Sequence, residues 1–234
     1  QRTNLSTAVE WIETLRSGYH GLMLRAPRSL DTLDRCGNSP CLDFVNTVHS
    51  RTVRDPHDYL ATYADLLQWT RDGGFLSPRR LHQLASVARS QPRQAVKALR
   101  RAAELRELLY RVFLSLARER KSSATDLAAI NYWLGAVLPH RRLKRTGTRL
   151  RWSWEEAETL QRPLWPVVLS AAELLANVPR RRLRECPAPD GCGWLFLDTS
   201  KNGSRRWCSM RTCGNIAKAR RFHKKTRQAP GAYR

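Results

Sequence analysis

The sequence predicts a mainly α-helical N-terminal domain with one small β-hairpin, followed by a C-terminal module that holds a second short β-hairpin and a helix. Three observations lead to this fold class. Apolar residues recur at helical spacing through most of the chain, one segment alternates about Gly147, and four cysteines cluster near the C-terminus. With 41% hydrophobic residues and eight tryptophans in 234 positions, the chain can bury a sizeable core.

We divide the chain into four parts. An N-terminal extension covers residues 1–36, a helical domain 37–178, a cysteine module 179–227, and a basic tail 228–234. The helical domain has the usual size of a single domain. Val178 and Pro179, followed by three consecutive arginines, are typical of a linker between the domain and the module.

The first helices of the domain are predicted from apolar stripes and from residues that start or stop a helix. One helix is expected over 57–69, where apolar residues recur at helical spacing, and Gly73 and Gly74 stop it. Ser77 followed by Pro78 is typical of an N-cap with proline at the first helical position, so a second helix is expected there.

Three further helices complete the predicted domain. One runs from about Gln94 to Arg118, and another follows Ser123. The last begins around Pro163 and Pro166, because proline is tolerated in the first turn of a helix and not in its interior. Between the last two, the segment 142–154 alternates apolar and polar residues about a central glycine, which predicts a β-hairpin. We assign the aromatic residues of the helical stripes to the core.

The cysteine module is built around four thiols. Cys186, Cys192, Cys208 and Cys213 form the pattern C-x5-C-x15-C-x4-C. Two close thiolate pairs can surround one Zn²⁺ tetrahedrally, and four sulfur ligands leave no position open for substrate, so such a site is structural. Two disulfides or four unrelated buried thiols are the alternatives. We favour zinc, because no segment of the sequence resembles a secretory leader.

Short elements are expected around these cysteines. Gly191 and Gly193 flank Cys192, where small residues let backbone N–H groups turn toward metal-bound sulfur. The segment 194–197 is predicted to be a strand that turns Trp194 and Phe196 toward the metal. After Cys213 a short helix is expected to turn three apolar residues toward the site, namely Ile216, Ala219 and Phe222.

The charge of the module predicts its partner. Residues 179–234 hold fifteen Lys or Arg against three acidic residues, which is +12 of the +22 net charge of the chain. A polyanion is the natural counterpart, because cations placed on a phosphate backbone release condensed counterions. We predict nucleic-acid contacts for eight side chains: Arg205, Arg206, Arg211, Lys218, Arg220, Arg221, Lys224 and Lys225. Asp198 is expected to orient Arg205 or Arg206. Beyond Arg227 a solvated, disordered tail is the better interpretation.

These residues resemble a known family. The runs 192–198, 206–210 and 213–215 are similar to the CGNR zinc finger. The runs 42–47 and 162–166 resemble segments of the ABATE domain, which precedes that finger in bacterial proteins described as stress-induced transcription regulators. The resemblance implies a bacterial source, a Cys₄ site for one structural zinc ion at Cys186, Cys192, Cys208 and Cys213, and DNA binding.

One residue departs from the motif of the finger. Ile216 stands where the family has the arginine of Cys-Gly-Asn-Arg. Either that arginine anchors nucleic acid and this chain has lost the anchor, or it is a scaffold residue that Ile216 replaces with apolar packing. Arg220 lies one helical turn later and could cover a nearby spot.

Two other features allow more than one interpretation. Five basic residues of the predicted hairpin can be a second nucleic-acid contact or a charged edge that prevents aggregation, and we favour the charged edge. Cys36 and Cys41 share a C-x4-C spacing, but buried thiols are favoured over a second metal site because no matching close pair exists. Asp43 and Asn46 lie in an apolar run and either form internal hydrogen bonds or line a small-molecule pocket.

Function follows from these expectations. The P-loop, G-x-S-x-G, H-E-x-x-H and G-x-G-x-x-G signatures are absent from the sequence, so we expect no enzyme. The longest apolar region contains Pro166, Ser170 and Glu173 and cannot span a bilayer as a lipid-facing helix, so a cytoplasmic protein is expected. We predict a zinc-dependent DNA-binding transcription regulator whose helical domain senses a signal, such as a small-molecule effector, or forms a homodimer. The alternatives are an RNA-binding or ribosome-associated zinc protein and a protein-binding zinc adaptor.

Overall fold

The computed structural model describes residues 29–228, apart from the side chains at 225, 227 and 228. Most of the predicted extension and tail, at 1–28 and 229–234, lies outside the described residues. The α-helices are α1 (Pro40–Val45), α2 (Tyr63–Asp72), α3 (Pro78–Ser90), α4 (Pro92–Ala117), α5 (Ala124–Val137), α6 (Trp165–Asn177) and α7 (Asn215–Gln228).

The strands of the described residues form three separate antiparallel hairpins. They pair β1 (Val48–His49) with β2 (His57–Asp58), β3 (Arg141–Thr146) with β4 (Arg149–Trp154), and β5 (Leu183–Glu185) with β6 (Leu195–Leu197). The first two hairpins belong to the helical domain, and the third belongs to the cysteine module together with α7. The predicted fold class is therefore confirmed.

The 26-residue α4 lies at the centre of the helical domain. It contacts α1, α2, α3 and α5, and its buried stripe includes Leu105, Leu109 and Phe113. The short α1 is buried through Leu42 and Phe44 and packs between α4 and α6. Burial of these stripes removes large apolar side chains from water, which is the main force that holds helices of this kind together.

The predicted start of the first long helix is wrong by six residues. His57 pairs with β1, and α2 begins at Tyr63. Thr62 caps this helix, because its hydroxyl accepts the backbone N–H of Asp65 at 3.2 Å while the Asp65 carboxylate accepts the N–H of Thr62 at 2.7 Å. Such a reciprocal pair satisfies two N–H groups that have no partner inside the helix. This local signal outweighs the apolar spacing that continues upstream of it.

The other helices of the domain begin and end close to the predicted residues. Ser77 caps α3 by accepting the N–H of Arg80 at 3.3 Å. The long α4 starts two residues before the predicted Gln94, at a proline in its first turn. Ser123 caps α5, and a 3-10 turn at Arg162–Leu164 leads into α6.

The predicted linker is part of the packed structure. Arg180–Arg182 forms a 3-10 turn, and the guanidinium of Arg182 donates to the carbonyl oxygens of Asp198 at 3.3 Å and Ser200 at 2.6 Å. The next residue, Leu183, is 3% exposed. It belongs to the same core cluster as α4 and α6, as does Leu195 of β6. The module therefore packs on the helical domain directly, without a free connection.

Candidate metal centre

The four predicted ligand cysteines meet at one point. Their sulfur atoms all lie within 4.8 Å of one another, and all four residues are buried. Cys208 Sγ is 3.7 Å from Cys192 Sγ and 3.5 Å from Cys213 Sγ. A tetrahedral Zn²⁺ with Zn–S bonds of about 2.3 Å requires sulfur atoms about 3.8 Å apart. A disulfide would require about 2.0 Å, and all six cysteines of the chain are free thiols. The spacing fits a metal ion.

Two turns and one hairpin bring the thiols together. Cys186 follows β5, and its backbone N–H donates to the carbonyl of Trp194 at 2.8 Å, which closes the loop that carries Cys192. Gly191 and Gly193 adopt φ values of 78° and 63°, a left-handed conformation that glycine adopts without strain. Cys213 lies in a single π-helical turn, Met210–Gly214, which runs directly into α7.

The four thiols lie so close together that the protonation of each depends on the others. Hydrogen bonds from the neighbouring thiols, first of all Cys192, hold the pKa of Cys186 far below its usual range. Hydrogen bonds with the neighbouring thiols, first of all Cys186, raise the pKa of Cys192 and of Cys208. The close packing of the thiols therefore opposes the ionisation of all four at once. A divalent cation would displace the remaining protons and stabilise all four thiolates.

Aromatic side chains cover the centre. Trp194 is 5% exposed and Phe196 is fully buried, and both pack with the cysteines and with Trp207. This confirms the prediction that Trp194 and Phe196 face the metal site. The helix behaves differently from the prediction. Ala217 is the buried residue of α7, whereas Ala219 is exposed and Phe222 is 68% exposed. Only the first turn of α7 packs on the cysteines, and the rest projects away from them.

Arg205 has an internal role that its charge did not reveal. Its guanidinium donates to the carbonyl oxygens of Cys36 at 2.9 Å, Trp207 at 3.0 Å and Cys208, and it lies over the ring of Phe196. Arg205 therefore makes structural contacts beside the metal centre, and its contact with nucleic acid stays a prediction. Asp198 accepts the backbone N–H of Arg205 at 2.9 Å, but its carboxylate forms an ion pair with Arg184 at 3.5 Å.

Six of the other predicted contact residues are exposed. These are Arg206, Arg211, Lys218, Arg220, Arg221 and Lys224. Within the part of the chain that the structure describes, none of the six forms an ion pair with a carboxylate. Arg220 donates to the carbonyl of Pro189 at 2.9 Å. The side chain of Lys225 lies outside the described residues. Ile216, at the position of the family arginine, is half-buried.

Two family models match this chain. Residues 38–178, more than half of its 234 residues, match the model of ABATE, described as "Putative stress-induced transcription regulator". The chain belongs to the ABATE family. Residues 182–226 match the CGNR zinc finger, so the four converging cysteines form the site of one structural zinc ion. No curated protein matches the chain. No helix among the described residues has the length and apolar character needed to cross a membrane.

The CGNR finger is joined to the ABATE domain through buried polar contacts. The side chain of Asn46 donates to the carbonyl of Leu195 at 2.8 Å and accepts its N–H at 3.0 Å. The indole N–H of Trp194 donates to the carbonyl of Val48 at 2.7 Å. At the rim, Arg118 and Glu185 form an ion pair with both carboxylate oxygens. The sequence carried one hint of this contact, a polar Asn46 within an apolar run.

The remaining residues near this contact are structural. Asp43 accepts the N–H of Gly37 at 2.8 Å, and burial raises its pKa to about 6. Burial also raises the pKa of the Cys41 thiol to about 11. Cys36 is buried beside the zinc cysteines but is not one of the four converging residues. The buried-thiol interpretation of Cys36 and Cys41 is therefore confirmed.

Gly191, in the loop between Cys186 and Cys192, offers a test of the contact between the finger and the ABATE domain. A Cβ at this position would lie 2.8 Å from both Thr52 Oγ1 and Val53 Cγ1 of the ABATE domain. The φ of 78° would also strain the backbone of any residue with a side chain. We expect Gly191→Ala to lower the free energy of unfolding by more than the roughly 1–2 kcal/mol of backbone strain alone. The measurement is urea unfolding of the zinc-loaded protein.

Gly147 provides the matched control for this substitution. It has a φ of 60°, and a Cβ there meets nothing within 4 Å. Gly147→Ala therefore carries the backbone strain without the steric contact. Equal losses in the two variants would show that the finger and the domain can move apart at no cost.

Proposed function

We propose that this ABATE protein is a zinc-dependent, DNA-binding transcription regulator, and that α7 of the CGNR finger is the element that contacts duplex DNA. The proposal rests on one observation above all. After Ala217, every described side chain of α7 is exposed, and four of them are Lys or Arg. The sequence has no acidic residue after Asp198. The exposed part of this helix therefore presents positive charge without a compensating carboxylate of its own.

The geometry of α7 suits a DNA groove. A helix of 14 residues is about 21 Å long, and the major groove of B-DNA admits a single α-helix. The zinc ligand Cys213 lies two residues before the start of α7, so the metal holds the first turn of the helix on the rigid part of the protein. Lys218, Arg221 and Lys224 recur every three residues and lie along one side of the helix.

The remaining parts of the proposal follow from this role. The protein acts by binding and not by catalysis, and it works in the cytoplasm, where duplex DNA is accessible in a bacterium. The ABATE domain senses a signal or dimerises. Its contacts with the finger, through Asn46 and the pair Arg118–Glu185, provide a physical route by which a change in the domain can reach the zinc centre.

The test is the salt dependence of DNA binding. We expect the triple variant Lys218→Gln/Arg221→Gln/Lys224→Gln to lower the slope of log K against log salt by roughly 2–3, because each lost phosphate contact removes about 0.9 from the slope. The measurement is fluorescence anisotropy with labelled duplex DNA at several salt concentrations. Zinc content should stay at its wild-type value, since the three side chains are exposed and none of them is among the converging ligands.

A charge-matched control accompanies this variant. Arg93→Gln/Lys97→Gln/Arg100→Gln removes the same charge from exposed positions of α4. An equal fall of the slope in both variants would mean a diffuse effect of net charge and would contradict the role of α7. Tighter binding of structured RNA or of an acidic protein than of duplex DNA would favour the other two functions that the sequence allows.

A further inference from the structure

The hairpin β3–β4 is an exposed, isolated ribbon. We call residues 141–154 the basic ribbon. All residues from Arg142 to Trp152 are exposed, and the two strands pair only with each other. Six of the fourteen residues are basic and none is acidic. A two-stranded hairpin on its own is marginally stable in water, so such a surface needs a reason beyond folding.

The register gives the ribbon two different faces. Residues that lie directly opposite each other in an antiparallel pair have side chains on the same face. Lys144 faces Arg151, and Thr146 faces Arg149, so one face is polar and cationic. On the other face, Leu143 lies opposite Trp152, and Arg145 lies opposite Leu150. These three apolar side chains are 57%, 63% and 64% exposed in the order Leu143, Trp152 and Leu150.

Most of the positive charge of the ribbon has no counter-charge. Arg142 pairs with Glu155 at 2.5 Å, and the guanidinium of Arg141 lies 4.5 Å from the centre of the Trp154 ring. The other four cations, Lys144, Arg145, Arg149 and Arg151, form no ion pair with a carboxylate among residues 29–228 of the structure. Three of the four, Lys144, Arg149 and Arg151, lie on the cationic face, so a partner that supplies negative charge at several points would satisfy these three at once.

The charge of the ribbon distinguishes between its possible binding partners. A second copy of this chain that packed ribbon against ribbon would bring two sets of unpaired cations together, at a cost in free energy. A lipid surface would need a continuous apolar face, but Arg141 and Arg145 interrupt the apolar face of the ribbon. A charged edge that only prevents aggregation would not need three large exposed apolar residues. A phosphate backbone with apolar sugar and base edges matches both kinds of side chain.

We propose that the basic ribbon is a second surface for duplex DNA, separate from α7. A two-stranded β-ribbon fits the major groove of B-DNA. Six residues of strand extend about 20 Å, and duplex DNA carries one negative charge for roughly each 1.7 Å of its axis. One arginine guanidinium can donate two parallel hydrogen bonds to the oxygens of one phosphate. The proposal rests on the proposed function for the nature of its ligand, but not on the role of α7.

The position of the ribbon makes it an independent contact. The ribbon precedes the N-terminal end of α6, and the CGNR finger follows the C-terminal end of the same helix. A helix of 13 residues is about 20 Å long, so α6 separates the two surfaces in the chain. Two contacts on one rigid protein raise the overall affinity when both reach the same DNA molecule.

The test is a variant that removes the four unpaired cations of the ribbon from the full-length chain. Lys144→Gln/Arg145→Gln/Arg149→Gln/Arg151→Gln is expected to lower the slope of log K against log salt by about 3–4 and the affinity at about 0.15 M salt by roughly ten- to thousandfold. The probe is a labelled 30-base-pair duplex. The matched control, Arg89→Gln/Arg93→Gln/Lys97→Gln/Arg100→Gln, removes four exposed cations from α3 and α4. It should retain most of the wild-type slope of log K against log salt.

Combination with the α7 triple variant separates the two proposals. If the ribbon variant lowers the slope and the α7 variant does not, the result supports DNA binding by the ribbon and contradicts DNA binding by α7. An unchanged slope in the ribbon variant overturns the ribbon proposal, whatever the α7 variant does. It is also overturned if the ribbon variant abolishes binding to phosphatidylglycerol vesicles or dimerisation in sedimentation while DNA binding persists. Absence of duplex binding by the wild-type chain overturns both proposals.

Discussion

Replacement of Cys208 by serine is expected to reduce the bound zinc from one equivalent to a small fraction of it and to unfold the CGNR finger. The sulfur of Cys208 lies within 3.7 Å of two other ligand sulfurs. The backbone carbonyl of Cys208 also accepts a hydrogen bond from the Arg205 guanidinium. Removal of one thiolate opens the tetrahedral site, and structural zinc contributes on the order of 10 kcal/mol of apparent binding free energy to small fingers. Elemental analysis and hydrogen exchange of the 183–228 segment measure the two effects.

The expected unfolding has a boundary that the structure defines. Leu183 and Leu195 are buried in the same core as α4 and α6, so β5 and β6 should lose part of their protection and α7 all of it. The ABATE helices should keep their slow exchange. Cys36→Ser is the matched control, since Cys36 is buried in the same cluster but is not one of the four converging cysteines. Full zinc occupancy in Cys208→Ser, or equal zinc loss in Cys36→Ser, would refute the assignment of the ligands.

Asn46→Ala is expected to give the second largest effect, a loss of about 2–5 kcal/mol in the free energy of unfolding. The Asn46 side chain is 1% exposed and is the hydrogen-bond partner of both the N–H and the carbonyl of Leu195, itself fully buried. Alanine would leave two backbone groups buried without a partner, and each such group costs roughly 1–3 kcal/mol. Urea unfolding followed by tryptophan fluorescence measures the loss.

Asn38→Gly is the matched control for this substitution. Asn38 also donates from its amide to the finger, to the carbonyl of Leu197 at 2.9 Å, but it is exposed and has a φ of 60°, which glycine adopts freely. Its loss should cost about 1 kcal/mol or less, since water replaces the hydrogen bond. If Asn46→Ala costs no more than Asn38→Gly, the finger is not held to the ABATE domain through Asn46.

Both predictions concern the junction of the two parts, which sequence patterns describe poorly. The spacing of the cysteines predicted the zinc module because the four ligands must share one small ion. The junction depends on residues that are far apart in the chain, such as Asn46 and Leu195, and no periodicity records that they meet. A short polar residue in an apolar run signals only that some partner exists.

The helix that carries the proposed DNA contact shows the same difference. Apolar spacing predicted that Phe222 would pack on the zinc site, but the first turn of α7 alone reaches it, and Phe222 is 68% exposed. Charge predicted that Arg205 would be free for nucleic acid, but three backbone carbonyls occupy its guanidinium. Composition counts cations correctly and does not tell which of them the protein uses internally.

The amino-acid sequence by itself determined the zinc ligand set, most helices with their capping residues, the exposed hairpin and the excess of positive charge. These features are local, because ligand spacing, helical periodicity and turn chemistry depend on residues close together in the chain. The tertiary structure alone decided that the finger shares a core with the ABATE domain, and which cations stay free for a partner. Those outcomes depend on burial and on contacts across more than a hundred residues, and neither is encoded in any single segment.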